Sequence, residues 1–301
     1  MLSFSLQRPR LYHHDKFVFQ MRGFFDDSQF LYVGMNGSNS VQRFILPSLT
    51  PDINFSVGTD PYSGPYVALD IEVTPGAPHT TAISRGLLNV DPDTEGGIAI
   101  YDDGTQRPTI APGWGPTQNS YDSIQWGEDA TAIYAANSST TGFDFYTLTV
   151  NSSGVVEQDF PSVFWNPGRI HFDRGSGLVY SDDGFHAVDP VTGLPAGIFE
   201  GGGPMAPDST TNTVFILSQY VWQGYSDYTM GLFDMTHYVR SDWVPFSTTA
   251  QLGFNPPQRI IRWGSNGLAV SFKGDKVYLL STSFVGGPRP SKKRHNSARN
   301  N

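Results

Sequence analysis

The sequence contains no cysteine. Disulfides, thiolate metal centres and cysteine nucleophiles are therefore excluded together, while the compartment stays open, because exported chains can also do without cysteine. Long apolar runs are absent as well. No window approaches the eighteen residues of a membrane helix, and the start "MLSFSLQRPR" lacks the basic head and apolar core of a signal peptide. Charged residues make up only 16%, too few to clothe long surface helices. The motifs of several chemistries are also missing: no Gly-x-Ser-x-Gly elbow, no His-Glu-x-x-His helix and no phosphate loop. Glutamate is scarce, five against twenty-three aspartates, so a glycosidase-type carboxylate pair would use aspartate.

Positive charge is scarce everywhere but at one end. The net charge is −9, yet five basic residues (Arg289, Lys292, Lys293, Arg294, Arg299) crowd residues 286–301, which hold no acid, leaving about −14 on residues 1–285. A body this acidic repels a phosphate backbone, which excludes nucleic acid as a partner. The sequence therefore divides into a folded domain over 1–285, expected to be a monomer, and a disordered basic tail or linker over 286–301.

What is abundant is aromatic residues, at 14%, together with 32 glycines and 22 prolines, the composition of many short strands joined by tight turns. These strands repeat. "IQWGEDATAIYAA" from Ile124 and "IRWGSNGLAVSF" from Ile261 align without a gap, and four looser copies start at Gly23, Ile71, Ile170 and Met205. Anchored at Phe25, Val73, Trp126, Phe172, Ala206 and Trp263, the copies are spaced by 48, 53, 46, 34 and 57 residues. A period of roughly 40–50 residues with only β signals inside it predicts an all-β chain, a single β-propeller of six, or seven, four-stranded blades. The last copy lacks an outer strand, and the alternating Leu2-Ser3-Phe4-Ser5-Leu6 could supply it and close the ring.

The stretch "LYVGMNGSNSVQRFILPSLTPDINFSVG", Leu31 to Gly58, resembles the repeat of the YVTN family of β-propellers, and "AVDPVTGLPAGIF" resembles the hairpin shared by that family and quinoprotein-like propellers. The resemblance implies bacterial proteins that are exported, periplasmic or attached to the cell surface, with relatives that include lactonase-like enzymes and plain binding modules. It carries no activity with it.

Candidate sites follow from slots repeated between blades. The polar residue before each anchor gives a channel collar of Glu72, Gln125, His171 and Arg262, able to bind a small polar ligand or to form a hydrogen-bonded network around water. Arg169 and Arg259, aligned through "NPGR" and "NPPQR", are expected near its entrance. "DPDTEGGIAIYD" echoes a calcium loop, with Asp91, Asp93, Glu95 and Asp102 as ligands, against the default of an ordinary acidic loop. Tyr220, Trp222, Tyr225 and Tyr228 in "SQYVWQGYSDYTM" read as an insertion that offers rim contacts to a protein or glycan. Asp173, Asp182, Asp183 and Asp189 read as turn residues, because aspartate caps local backbone N–H groups. The function expected is a binding or interaction module without a catalytic site and without a cofactor, calcium apart. The alternative is a propeller-type hydrolase or lactonase that uses the collar, with calcium assisting.

Overall fold

The computed structural model describes residues 21–22, 29–87, 95–111, 121–138, 144–159, 168–182, 186–222, 225–246, 257–264, 266–272, 277–281 and 285, and all of their regular structure is β-strand. Six sheets of three or four strands follow one another, each with its strands hydrogen-bonded in chain order, and a two-stranded ribbon, Thr59–Asp60 with Gly64–Pro65, lies between the first and the second along the chain. The first holds Met21–Arg22, Phe30–Met35, Ser40–Ile45 and Thr50–Ser56. The second holds Val67–Thr74, Ala77–Gly86, Glu95–Asp102 and Thr105–Gln106. Ser123–Trp126, Ala132–Ala136, Phe145–Asn151 and Gly154–Asp159 form the third. Ile170–Asp173, Leu178–Ser181, His186–Asp189 and Leu194–Ile198 form the fourth. Met205–Asp208, Thr213–Trp222, Tyr225–Asp234 and Arg240–Phe246 form the fifth. The sixth has three strands among the described residues, Pro257–Trp263, Gly267–Phe272 and Val277–Ser281. Residues 2–6, expected to complete it, lie outside the described residues, as do the anchor Phe25 and the tail.

The chain divides into two compact units, Met1–Tyr121 with Asn151–Val156, and Asp122–Val150 with Glu157–Asn301. In the first unit the inner strand of the second sheet lies against the first sheet, and Tyr32, Val41, Ile71, Ile83 and Tyr101 fill the space between them. In the second unit the inner strands of the third to sixth sheets lie side by side in chain order. Three cores separate these sheets: one around Tyr134, Ile170 and Val179, one around Tyr180, Met205 and Phe233, and one around Phe215, Ile260 and Phe272. Each large aliphatic side chain so buried contributes about 1.5–3 kcal/mol. Middle strands are covered on both faces, so Ala132–Ala136 is buried almost throughout, whereas the outer strand Leu194–Ile198 is exposed along most of its length.

Three sequence expectations change. Trp126 is buried at 4% exposure and pairs with Ile133, but Trp263 is 53% exposed and pairs with Gly267 across a shorter turn, so the two Trp-Gly copies do not superpose without a gap. The "SQYVWQGYSDYTM" stretch is not a loop inserted into the fifth sheet. It lengthens two paired strands, which run in register to Trp222 opposite Tyr225. Asp182 is more than a turn residue, for the reason given below.

One glycine splices the first unit together. Thr109 N–H donates to the Ser153 carbonyl at 2.8 Å, Val155 N–H donates to the Thr109 carbonyl at 3.1 Å, and Gly154 lies between them at φ +123°. A Cβ there would sit 1.9 Å from the Thr109 carbonyl oxygen, so the close approach of the two backbones requires glycine.

Candidate functional site

In the second unit, the residue just before each inner strand stands at that strand's entrance: Asp122, Arg169 and Pro204 precede Ser123, Ile170 and Met205, and Pro257 opens the sixth sheet. Glycine and proline shape these entrances. Gly168 has φ +58°, and Gly203 has φ +135° with its N–H donated to the Asp182 carbonyl at 3.1 Å. A polar cavity of about 330 Å³ opens among them, lined by Asp122, Ser123, Ser138, Arg169, Asp182 and Gln258, with Gly168, Pro204 and Pro257 completing the wall. That volume is in the range of small-molecule sites.

The cavity's two carboxylates are already positioned by hydrogen bonds. Asp122 Oδ2 accepts from Ser138 N–H at 2.5 Å and from its hydroxyl at 2.7 Å. Asp182, 6% exposed, accepts from Met205 N–H at 3.0 Å and lies 2.7 Å from His171 Nε2 through the same Oδ1. The half-buried Arg169 is the basic side chain in the lining. Burial pushes its pKa down to about 9, the like charge of Arg259 pushes the same way, and the charge of Asp182 opposes them.

The collar residues turn to separate partners. Gln125 Nε2 donates to the Ile124 carbonyl at 2.9 Å, His171 pairs with Asp182, and Arg262 Nε lies 2.7 Å from Asp208 Oδ2 while its Nη1 donates to the Gly267 carbonyl at 2.9 Å. Glu72, buried at 4% on the inner strand of the second sheet, belongs to the first unit. Arg169 directly precedes the inner strand Ile170–Asp173 and lines the cavity; Arg259 lies on the inner strand Pro257–Trp263, outside that lining, and its like charge acts on Arg169. Asp122, Ser123, Ser138 and Asp182 were not singled out from sequence as site residues. The signal available for Asp122 was its place, one residue before an inner strand like Arg169; Asp182 and Ser138 follow second strands and reach the cavity only through folding.

Asp173 and Asp189 do cap turns. Asp173 Oδ2 accepts from Ser176 N–H at 2.8 Å, and Asp189 Oδ1 accepts from Val191 N–H at 2.9 Å, which holds the Asp189 carboxyl below the usual range. Asp173 also reaches the fifth sheet, accepting the Ser209 hydroxyl at 3.1 Å. Asp183 lies outside the described residues.

Of the calcium-loop residues, Asp91 and Asp93 lie outside the described residues, as does the Glu95 side chain. Asp102 is engaged otherwise: Arg107 contacts it at 2.8 and 3.0 Å and Thr80 at 2.7 Å, which lowers its pKa, Arg107 foremost. No group of three acids or histidines suited to a metal occurs among the described residues. Tyr228 is not a rim residue: it is 2% exposed, edge-on to Phe272. The side chains of Tyr220, Trp222 and Tyr225 lie outside the described residues. In the first unit, the buried Arg43 is an organising cation. Its Nε bonds Asp52 at 2.6 Å, its Nη1 bonds Asp103 at 2.5 Å, and it stacks 4.2 Å above the Phe30 ring.

Successive four-stranded antiparallel sheets with neighbouring inner strands also occur in solved structures similar to this one. Kuenenia stuttgartiensis hydrazine synthase superposes with a TM-score of 0.55 at 13% identity, over 87% of this chain and 82% of that one. The Dos1 propeller gives 0.57 at 8%, over 91% and 71%. The chain is a six-bladed β-propeller. A functionally unknown protein from Desulfotomaculum acetoxidans DSM 771 gives 0.54 at 14%, over 87% and 78%. At these identities the likeness is one of fold alone. No family model matches the propeller, and no curated protein matches it by sequence.

Proposed function

We propose that this propeller is a binding module whose recognition site is the polar cavity of the second unit, and that it holds a small polar ligand there. The observation that carries this reading is the convergence of a cation, two carboxylates and two serines, from separate blades, on one cavity of about 330 Å³. The carboxylates and His171 are tied to backbone, hydroxyl or each other in positioning roles, which supports binding over the hydrolase or lactonase alternative. The YVTN-like stretch from Leu31 to Gly58 supports work outside a bacterial cell.

The test is a ligand-observed NMR screen of small polar molecules, covering anions, cations, sugars and amino acids, against the full chain and Gln258→Trp. Gln258 is exposed at the cavity wall, so the indole blocks the cavity without disturbing a core. Binding by the native chain that the tryptophan abolishes supports the reading. Binding that survives in Gln258→Trp places recognition elsewhere.

A further inference from the structure

The cavity's lining narrows the class of its ligand, on the reading that the cavity is the recognition site. We propose that it takes a neutral polyhydroxylated ring, a monosaccharide or cyclic polyol, held through its hydroxyl groups.

The lining mixes charges of both signs. A cation entering it meets the Arg169 guanidinium, and an anion meets the carboxylates of Asp122 and Asp182, whereas a neutral ligand meets neither repulsion. Both carboxylates are also engaged with donors of the protein itself: Asp122 Oδ2 with the Ser138 N–H and hydroxyl, Asp182 Oδ1 with the Met205 N–H and His171 Nε2. A hydroxyl group both donates and accepts, and the cavity has groups of each kind to meet it. Ser123 Oγ accepts the Ile170 N–H at 3.2 Å, which turns its own proton toward another acceptor and makes it a donor on the cavity wall. The Ser138 hydroxyl gives its proton to Asp122, so its oxygen serves as an acceptor. Both hydrogen bonds of Asp182 fall on Oδ1, and Oδ2 is a further acceptor. Gln258, exposed on the wall, carries an amide that does both. Ser123 and Asp182, at 2% and 6% exposure, are held by these bonds before a ligand arrives, which lowers the ordering cost of binding. The groups come from blades three, four and six, so one ligand that meets them all is a compact body with polar groups directed several ways, as the hydroxyls of a sugar ring are. A volume of about 330 Å³, at the small end of the roughly 300–1,000 Å³ of ligand sites, suits a single ring rather than a chain of them.

Calorimetric titration of the full chain with D-glucose, D-galactose and myo-inositol, beside sodium phosphate and putrescine, tests this. Saturable binding of at least one of the three polyols is expected, abolished in Gln258→Trp and weakened about tenfold in Ser123→Ala, which removes the hydroxyl donor. Ser138→Ala, which removes an acceptor at a half-buried position, gives a second reading should Ser123→Ala fail to fold. Affinity for a neutral ligand should also hold to within about twofold between about 0.05 and 0.5 M sodium chloride, where that for an ion would fall. The inference is overturned if none of the three polyols binds, or if both serine variants bind them as the native chain does. If phosphate or putrescine binds in a way that Gln258→Trp abolishes, while no polyol gives heat, the cavity reading stands and the polyol inference alone fails. Polyol binding that survives in Gln258→Trp takes recognition away from the cavity and overturns both.

Discussion

His171 Nε2 lies 2.7 Å from Oδ1 of Asp182, and the same oxygen accepts the backbone N–H of Met205 at 3.0 Å. One buried carboxylate thus ties the inner and second strands of the fourth blade to the start of the fifth. Replacing Asp182 with alanine leaves two buried donors without an acceptor, which should cost about 2–4 kcal/mol of stability. Urea unfolding at neutral pH measures it; a loss below about 1 kcal/mol would show that the carboxylate does not hold the blades together.

The Asp208–Arg262 pair makes a second junction, between the fifth and sixth blades, with the Asp208 side chain 6% exposed. Burial works to raise the Asp208 pKa, but hydrogen bonds from Thr210 and Thr211 and the charge of Arg262 outweigh it and leave the carboxyl below its ordinary value. A carboxyl with a lowered folded pKa adds stability above its unfolded pKa, and that stability is lost as pH falls through the folded value. The native chain should therefore lose stability below about pH 4, and Asp208→Asn should show a shallower decline. Urea midpoints from pH 7 down to pH 3 check this, and parallel curves for the two proteins would contradict it.

Gly154 at φ +123°, with the Thr109 carbonyl in the way of any Cβ, predicts a severe effect from the smallest possible change. Gly154→Ala should cost about 2–3 kcal/mol from backbone strain before the steric clash is counted. Hydrogen exchange should report the loss locally, as faster exchange of the Thr109 and Val155 amides that bond across this junction. Unchanged protection of both amides would refute the local account.

The blades were legible because their signals are local. Strand runs such as "FDFYTLTV" and "HAVDPVTGLPAGIF" carry their own turns, and the structure pairs Phe145–Asn151 with Gly154–Asp159 and His186–Asp189 with Leu194–Ile198 accordingly. Where sequence reasoning failed, the deciding contact was between blades or depended on the length of a turn. Trp126 and Trp263 share a motif, but the turn that follows Trp263 is three residues shorter between paired positions, and Trp263 is exposed. Asp182 resembles Asp189 in its sequence setting, yet one is buried against the next blade and the other caps an exposed turn. Nothing local separates them. Arg169 was visible through its counterpart in "NPPQR", because repetition brings residues at equivalent slots near one another; Ser138 and Asp182 had no such counterpart, so the cavity they line emerged only in three dimensions.

On the proposed reading Arg169 serves the cavity of the second unit, whereas Asp182 and Asp208 join blades of the fold. A base whose pKa is lowered in the folded state, as burial lowers that of Arg169, destabilises that state while it is charged. Replacing it with an uncharged side chain of similar reach removes that penalty. The unfolding free energy of Arg169→Met at pH 7 is the direct measurement. A value equal to or above that of the native chain is expected; a loss of more than about 1 kcal/mol, the size of an ordinary structural hydrogen bond, would show that Arg169 serves the fold.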